Sequence, residues 1–383
     1  MDNEFDEIRP FGPGEVKPAV ESLLNDRQFM TMLRGFLPLP KGVIRFIIRT
    51  LFIGVNTPLD FQKRYMKRIV KYMLKKCSDG CSFGGHPLPV KTQHHTYVSN
   101  HRDIVLDSAI LDYKLVETGY DNTVEIGIGD NLLIYPWIRT LVKLNKAFTV
   151  RRGLSPRQLL ESSMLMSRYI HHAVTEKGEN IWIAQREGRA KDSDDRTQES
   201  VLKMLGYGGH ISQLNIVPLT ISYEFDPCDY LKAKEFQLKR DNTAYKKSKQ
   251  DDLDNMKIGI RGYKGRIHYE CAPCINEWLD DYVSLPKTEF YAEVAKRMDR
   301  EIHKGYYIYP NNYIALDLLN GDRANASHYT AADEERFKKY LDGQLAKIDI
   351  PEKDEAFLRE RMLTMYANPL RNKMAADKAN AEQ

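Results

Sequence analysis

One histidine of this chain stands among carboxylates in a pattern that is typical of a catalytic base. His101 follows an apolar stretch at residues 95–98, and Asp103 and Asp107 come two and six residues after it. A neutral imidazole accepts a proton near neutral pH, and a neighbouring carboxylate holds its tautomer and stabilises the imidazolium that forms. The pattern therefore predicts a general base with an aspartate partner. A structural alternative stays open, in which His101 closes a loop and Asp107 interacts with the dipole of a new helix.

The triplet at residues 101–103, HRD, also occurs in protein kinases, but the rest of the kinase pattern is missing. Kinases carry an asparagine five residues after that aspartate, and this chain has Ser108 there. The sequence contains neither the glycine-rich phosphate loop nor the DFG triplet of a kinase. We therefore exclude a protein kinase.

The elements that must position His101 are predicted to form an α/β sheet. Between residues 82 and 219 short apolar runs alternate with helical patterns, which indicates alternating strands and helices. In such sheets the loops at the strand ends carry the functional residues. Ser155 and Pro156 form a good helix start, as N-cap and first helical residue. Strands are predicted at residues 95–98, 124–128, 147–150, 180–184, 215–222 and 266–271.

These elements predict a mixed sheet flanked by helices, within a chain of three parts. Residues 1–80 form an N-terminal helical segment, residues 81–320 the α/β domain, and residues 321–383 a C-terminal helical extension. Residues 229–257 are polar and mixed in charge, which favours a surface insertion or a long helix. Further helices are predicted at residues 18–33, 156–175, 289–304 and 333–345.

The N-terminal segment carries most of the excess positive charge. Residues 41–76 hold ten Lys or Arg and one acid, a local charge of +9 in a chain whose net charge is +4. Apolar residues alternate with the basic ones at helical spacing, which is typical of amphipathic helices on an anionic membrane surface. The alternative is a helical hairpin with a solvated basic face. No apolar run reaches eighteen residues, so we expect no membrane-spanning helix.

Five cysteines and an acidic, Pro-rich start without a secretory signal predict reduced thiols and a cytoplasmic location. Cys271 and Cys274 have a spacing that occurs in zinc sites, and Cys77 and Cys81 are the pair that could complete one. Ordinary thiols are the other interpretation, and we predict no metal. A nucleic-acid binder is a poor alternative, because no aromatic platform or recognised module accompanies the basic residues.

Four sequence blocks together resemble the glycerol-3-phosphate and lysophosphatidate acyltransferase superfamily. Residues 99–107 (SNHRDIVLD) are similar to its first block, His-x4-Asp, but have five residues between the histidine and Asp107. The second, third and fourth blocks follow in order at residues 146–152 (KAFTVRR), 181–189 (IWIAQREGR) and 216–224 (IVPLTISYE). Weaker similarity at residues 264–269 and 309–319 is closer to the glycerol-3-phosphate branch.

The resemblance implies a membrane-associated O-acyltransferase of phospholipid synthesis, peripheral on the cytoplasmic face. The donor would be an acyl thioester, either acyl-CoA or acyl carrier protein, and the acceptor a hydroxyl of glycerol 3-phosphate or a related lyso-lipid. His101 would deprotonate that hydroxyl and Asp107 would orient His101, with Asp103 as the alternative partner. The resemblance implies neither a metal nor another cofactor.

The resemblance also implies which residues bind the acceptor. The guanidinium groups of Arg151, Arg152 and Arg189 are suited to its phosphate, because their donor geometry matches the phosphate oxygens. Glu187 would hydrogen-bond acceptor hydroxyls or brace its loop. Gly188 would let the backbone approach the substrate closely.

Two departures from the family pattern are visible. The five-residue spacing after His101 supports a second hypothesis, an acyltransferase-like protein that binds lipid without turnover. The family's Phe-Pro before the third-block glutamate is replaced by Gln-Arg at residues 185–186, which bears on the acceptor pocket.

Overall fold

A computed structural model of the chain describes residues 3–36, 39–85 and 88–381. Its strands are β1 (Cys81–Gly85), β2 (Thr96–Ser99), β3 (Val124–Gly129), β4 (Ala147–Val150), β5 (Asn180–Ala184), β6 (Ile216–Tyr223) and β7 (Ile267–Cys271). Its α-helices are α1 (Val16–Asn25), α2 (Arg27–Phe36), α3 (Lys41–Leu51), α4 (Pro58–Phe61), α5 (Lys67–Cys77), α6 (Leu106–Glu117), α7 (Pro136–Leu144), α8 (Pro156–Thr175), α9 (Glu199–Leu205), α10 (Asp229–Asp241), α11 (Lys249–Arg261), α12 (Lys287–Lys304), α13 (Pro310–Asn320), α14 (Ala331–Leu345) and α15 (Glu355–Ala381).

The strands form a mixed sheet with helices around it, which confirms the predicted α/β class. The chain divides into two compact units that interleave along the sequence. The first unit takes in residues 1–71, 108–182 and 204–213, and the second takes in residues 72–107, 183–203 and 214–383.

The first unit contains three parallel strand segments and the N-terminal helices. β3 pairs in parallel with β4 on one side and with the start of β5 on the other. α3 is tied to α1 by two arginines: Arg45 Nε donates to the carbonyl of Leu24 at 3.1 Å, and Arg49 pairs with Glu21 at 2.6 Å. The core of this unit is formed by buried apolar side chains, Val16, Val20, Leu23, Leu24, Phe29, Met30, Ile44, Val55, Phe61 and Leu144.

The second unit contains four strands in the order β1-β7-β6-β2. β6 runs parallel to β2 and antiparallel to β7, while β7 runs parallel to β1. Every residue of β6 is buried, as expected of a strand that is covered on both faces. Because β2 and β6 are parallel, their carboxyl ends lie at one edge of the sheet, where residues 100–107 and 224–229 begin.

Helices from the carboxyl-terminal half build a hydrophobic core in this unit. α10, α13, α14 and α15 pack together, and their buried side chains include Ala233, Ile314, Phe337, Leu341, Leu358, Met362 and Tyr366. α15 contributes to this core over several turns. Phe225, which follows β6, is buried in the same core.

Two predictions about elements were wrong, and one strand was not predicted. Residues 18–33 form two helices instead of one, because Asp26 is extended and its Oδ1 accepts the N–H of Phe29 at 2.8 Å, which starts a new helix. The strand β1 was not predicted, since its residues, CSFGG, are small and lack an apolar pattern. Residues 229–257 do not form a surface insertion: they form α10 and the start of α11, and Ala233 and Gln237 are fully buried.

Candidate functional site

The structure brings His101 and Asp107 together. His101 lies in the loop that follows β2, and Asp107 lies in the first turn of α6. Nδ1 of the imidazole is 2.8 Å from Oδ2 of Asp107. The imidazole is partly exposed, with 15% of its side-chain surface accessible, whereas the Asp107 side chain is fully buried. A buried carboxylate at Nδ1 favours the tautomer with its proton there, so that Nε2 is the nitrogen with a lone pair.

The carboxylate of Asp107 is held by four donors. Oδ2 accepts the imidazole and also the backbone N–H groups of Arg102 at 2.6 Å and Asp103 at 3.0 Å. Oδ1 accepts the hydroxyl of Tyr223 at 3.2 Å. The loop after His101 therefore curls around this carboxylate, so that the imidazole and the carboxylate meet across five intervening residues.

Asp103 has a different task. Its Oδ1 accepts the N–H groups of Val105 at 2.9 Å and Leu106 at 2.8 Å, so it caps the start of α6. Burial, followed by the charge of Asp107, raises the pKa of this carboxyl. Of the two aspartates that the sequence left open, Asp107 is the one that contacts His101.

A buried ionic cluster, which sequence reasoning missed, fixes the residue after His101. The guanidinium of Arg102 donates to Ser193 Oγ at 2.5 Å and to Asp226 Oδ2 at 3.0 Å. Lys232 of α10 donates to the same Asp226 oxygen at 2.5 Å. Burial alone would raise the pKa of Asp226, but Lys232 and Arg102 lower it to about 2. The cluster therefore anchors the loop after His101 to α10, and it keeps Asp226 ionised.

No sequence pattern predicts this ionic cluster, because its residues are far apart in the chain. Asp226 and Lys232 come more than a hundred residues after Arg102. The sequence suggested no role for Arg102 beyond its place in the HRD triplet. Two tyrosines of neighbouring strands were missed for the same reason: Tyr223, which donates to Asp107, and Tyr269, whose hydroxyl donates to the Asp107 carbonyl at 3.0 Å.

The third sequence block begins beside the loop of His101. The N–H of Gln185 donates to the carbonyl of Ser99 at 2.8 Å, so the segments that lead to His101 and to Glu187 start side by side. Glu187 is exposed, and its N–H donates to Oε1 of Gln198 at 2.8 Å. Gly188 has a φ of +69°, a left-handed conformation in which a side chain would be strained.

Arg189 is partly buried and directed towards α11. Its Nη2 donates to the amide oxygen of Asn255 at 3.3 Å, and within residues 3–36, 39–85 and 88–381 no carboxylate pairs with it. A guanidinium with only a neutral partner is suited to an anionic ligand.

Arg151 and Arg152 lie in the other compact unit from His101. The guanidinium of Arg151 is exposed and pairs with the carboxylate of Glu7. The N–H of Arg152 donates to Oδ1 of Asp130 at 3.1 Å, which fixes the turn after β4. The structure thus gives Arg151 an acidic partner within its own unit, and the predicted phosphate role of both arginines stays a prediction.

The four thiols weighed as a zinc site form no such cluster in the described residues. Cys271 is buried in β7, and burial raises the pKa of its thiol. Cys81 lies in β1. No disulfide joins any of the five cysteines, all of which the structure describes.

The basic segment is helical, and several large apolar side chains of it are exposed. Phe46 on α3 is 71% exposed, and Ile53, just after α3, is 68% exposed. Arg68 and Lys71 are exposed on α5. Among the described residues no helix is both long and apolar enough to cross a bilayer.

No family model matches the chain, and no curated protein sequence matches it.

Proposed function

We propose that this chain is an O-acyltransferase that moves an acyl group from a thioester to a hydroxyl of a glycerol-type acceptor. The observation that supports this most is the hydrogen bond from His101 Nδ1 to the buried Asp107 carboxylate, in the place where the first sequence block resembles the acyltransferase superfamily. A base held in this way activates a hydroxyl without a covalent intermediate on the protein.

The reaction follows from the two nitrogens of the imidazole. Nε2 of His101 removes the proton of the acceptor hydroxyl while Nδ1–H stays hydrogen-bonded to Asp107, which stabilises the imidazolium. The oxygen of the acceptor attacks the thioester carbonyl and forms a tetrahedral intermediate. This intermediate collapses to the ester and expels the thiolate, which takes the proton from Nε2. The protein ends the cycle unchanged.

The acceptor's phosphate would bind at Arg189. This guanidinium has a neutral partner, Asn255, and it follows Glu187 and Gly188 on the loop that starts beside Ser99. The exposed Glu187 is suited to accept hydrogen bonds from the hydroxyls of the acceptor. Arg151 and Arg152 are the other candidates for phosphate binding that the resemblance implies.

The donor and the membrane complete the proposal. The thioester would be acyl-CoA or acyl carrier protein, and neither a metal nor another cofactor enters the mechanism. The exposed Phe46 and Ile53, with the basic residues of α5, would dock the protein on an anionic membrane, where a lipid product partitions.

An acceptor panel tests this function. Purified full-length protein and a long-chain acyl thioester would be incubated with glycerol 3-phosphate, with a lysophosphatidate and with glycerol, and products identified by mass spectrometry. We expect one phosphorylated acceptor to be acylated. Arg189→Gln should raise KM for that acceptor about tenfold or more, because a charged hydrogen bond to the phosphate is lost.

The matched control is Arg157→Gln, since Arg157 is exposed and pairs with Glu161 on α8. Absence of acyl transfer to every acceptor by folded protein would contradict the proposal. Equal KM values in the two variants would contradict the role of Arg189.

A further inference from the structure

A second carboxylate near His101 is buried, and none of the described residues donates a hydrogen bond to it. Asp195 is completely inaccessible, and in the described part of the chain neither of its carboxylate oxygens has a hydrogen-bond partner. Buried carboxylates in folded proteins are nearly always paired, because an unpaired one costs folding free energy. Asp195 therefore needs a physical account that the general-base mechanism does not supply.

The segment that contains Asp195 is held by two hydrogen bonds, one to Ser193 and one to the Asp195 carbonyl. On one side Ser193, two residues earlier, accepts the guanidinium of Arg102, which follows His101. On the other side the Asp195 carbonyl accepts Nε2 of His303 at 3.1 Å. The His303 ring stacks on Tyr306, 5.9 Å between centroids.

Tyr306 continues this chain of contacts to the other neighbour of His101. Its hydroxyl is 3.5 Å from Nδ2 of Asn100, the residue before His101. The loop that bears Asp195 is thus tied to both residues that flank the imidazole. Its carboxylate lies within electrostatic reach of His101.

The nearby cations do not neutralise Asp195 through hydrogen bonds. Arg102 and Lys232 both direct their donors to Asp226, and Arg102 uses its other nitrogen for Ser193. Asp195 is therefore not the counter-ion around which the ionic cluster is built.

Gln185, at the same edge of the sheet, is also buried with an unsatisfied polar side chain. It is completely buried, and no partner within the described residues contacts its side-chain oxygen or nitrogen. Its backbone joins the two segments concerned: its N–H donates to Ser99, and its carbonyl accepts the N–H of Gln198, three residues after Asp195. An amide and a carboxylate, both unsatisfied, thus belong to one closed loop beside the base.

We propose that Asp195 and Gln185 form a polar subsite for the second hydroxyl of the acceptor, the one that is not acylated. This inference rests on the proposed function and deepens it, because it makes a polyol phosphate the preferred acceptor. A hydroxyl donates to the carboxylate and accepts from the amide, so one group satisfies both side chains. A site built to hydrogen-bond a hydroxyl strongly rejects an analogue that lacks it.

Equilibrium binding in the absence of any thioester tests the subsite. Isothermal titration calorimetry on the full chain would compare glycerol 3-phosphate with 3-hydroxypropyl phosphate and 2-hydroxypropyl phosphate, each of which lacks one hydroxyl. We expect the analogue that lacks the subsite hydroxyl to bind about tenfold to a hundredfold more weakly than glycerol 3-phosphate, as for the loss of a hydrogen bond to a buried charge. The other analogue, which keeps that hydroxyl, should bind more tightly than the first. Asp195→Asn should reduce this preference to within about threefold and leave unchanged the affinity for the analogue that lacks the subsite hydroxyl.

Two further variants make the result decisive. Asp194→Asn is the matched control, since Asp194 is partly exposed and pairs with Arg196, and it should keep the wild-type preference. Gln185→Met should also lower the preference, and it replaces Asp195→Asn if circular dichroism shows that variant to be unfolded.

Equal binding of the three ligands by wild-type protein would overturn the subsite. Loss of affinity for all three by the same factor in Asp195→Asn would overturn it as well, because that result indicates a structural role. An Asp195-dependent preference in a protein that transfers no acyl group would support the subsite and contradict the proposed reaction. Acyl transfer without this binding preference would support the proposed reaction and contradict the subsite.

Discussion

At the scale of single residues, the two aspartates after His101 have separable roles, one as partner of the imidazole and one as helix cap. Asp107→Asn keeps the size of the side chain but removes its negative charge and replaces one acceptor oxygen with an amide donor. At the Oδ2 position this donor would face the imidazole and two backbone N–H groups, and at the Oδ1 position it would face the hydroxyl of Tyr223. We expect kcat to fall roughly 10³–10⁴-fold, as when the tautomer of a catalytic histidine is lost. Steady-state kinetics of acyl transfer would measure it.

Asp103→Asn is the control for that substitution. Asparagine caps helices as well as aspartate does, and the N–H of residue 103 that donates to Asp107 is kept. We expect kcat within about threefold of wild type. A larger loss in Asp103→Asn than in Asp107→Asn would contradict the roles that the geometry indicates.

The sequence could indicate His101 as a candidate base, but it could not decide which aspartate contacts the imidazole. Both aspartates are within a few residues of it, and only the path of the loop decides which carboxylate meets Nδ1. The ionic cluster of Arg102, Asp226 and Lys232 could not be predicted at all, because contacts between residues so distant in sequence depend on the packing of α10 against the sheet edge.

The unpaired carboxylate of Asp195 predicts a stability that depends on pH. Burial raises its pKa to about 6, against the opposing charges of Arg102 and Lys232. A folded-state pKa above the unfolded value of about 3.9 means that the stability from this group is present below pH ~4 and is lost as the pH rises through about 6.

Asp195→Asn removes this titration and sacrifices no hydrogen bond. We expect the variant to be more stable than wild type at pH 8, by on the order of 1–3 kcal/mol, and to differ little from it at about pH 4. Urea denaturation at both pH values would measure the difference. A difference of equal size at both pH values would mean that the carboxylate does not titrate in this range.

At the scale of elements, α15 is part of the core of its unit and not an appendage. Met362 on this helix is fully buried, whereas Met374 on the same helix is 54% exposed. Met362→Ala should lower the free energy of unfolding by about 2–5 kcal/mol, because it leaves a cavity. Met374→Ala, the matched control, should change it by less than about 0.5 kcal/mol. Similar losses in both variants would contradict the packing of α15.

The sequence predicted most strands of the sheet closely, and the reason is the strength of the local pattern. β4 and β5 were placed at their observed bounds, and α8 begins after Ser155 as the N-cap signal predicts. β1 was missed because pairing with β7, not its own residues, makes it a strand. The break at Asp26 was missed because it lies inside an unbroken helical pattern.

The exposed apolar residues of α3 predict a specific contribution to membrane binding. Arg45 and Arg49 hold α3 on α1, so the outer side of the helix presents Phe46. Phe46→Gln should weaken sedimentation with vesicles of anionic phospholipid several-fold, because a large exposed apolar side chain that would enter the bilayer is lost. Leu159→Gln is the control, since Leu159 is 53% exposed on α8, outside the basic segment. Equal binding by the two variants would refute a docking role for α3.

At the scale of the whole molecule, the excess positive charge lies in one segment of the chain and the candidate site in others. Residues 41–76 carry a charge of +9, so the remainder of the chain is net acidic. This distribution favours association with an anionic surface through one region only, and such association should weaken as salt is added. The candidate site, by contrast, draws its buried residues from three separate stretches of one compact unit, 72–107, 183–203 and 214–383.

The central claim is that His101 is the base of an acyl transfer, and acceptor-dependent release of thiol from a long-chain acyl thioester tests it most directly. Wild-type protein, His101→Ala and His210→Ala would be compared with and without glycerol 3-phosphate, His210 being an exposed histidine outside the site. We predict release that depends on the acceptor in wild type and His210→Ala, and a loss of at least about 10³-fold in folded His101→Ala. Undiminished acceptor-dependent release by His101→Ala would contradict the mechanism.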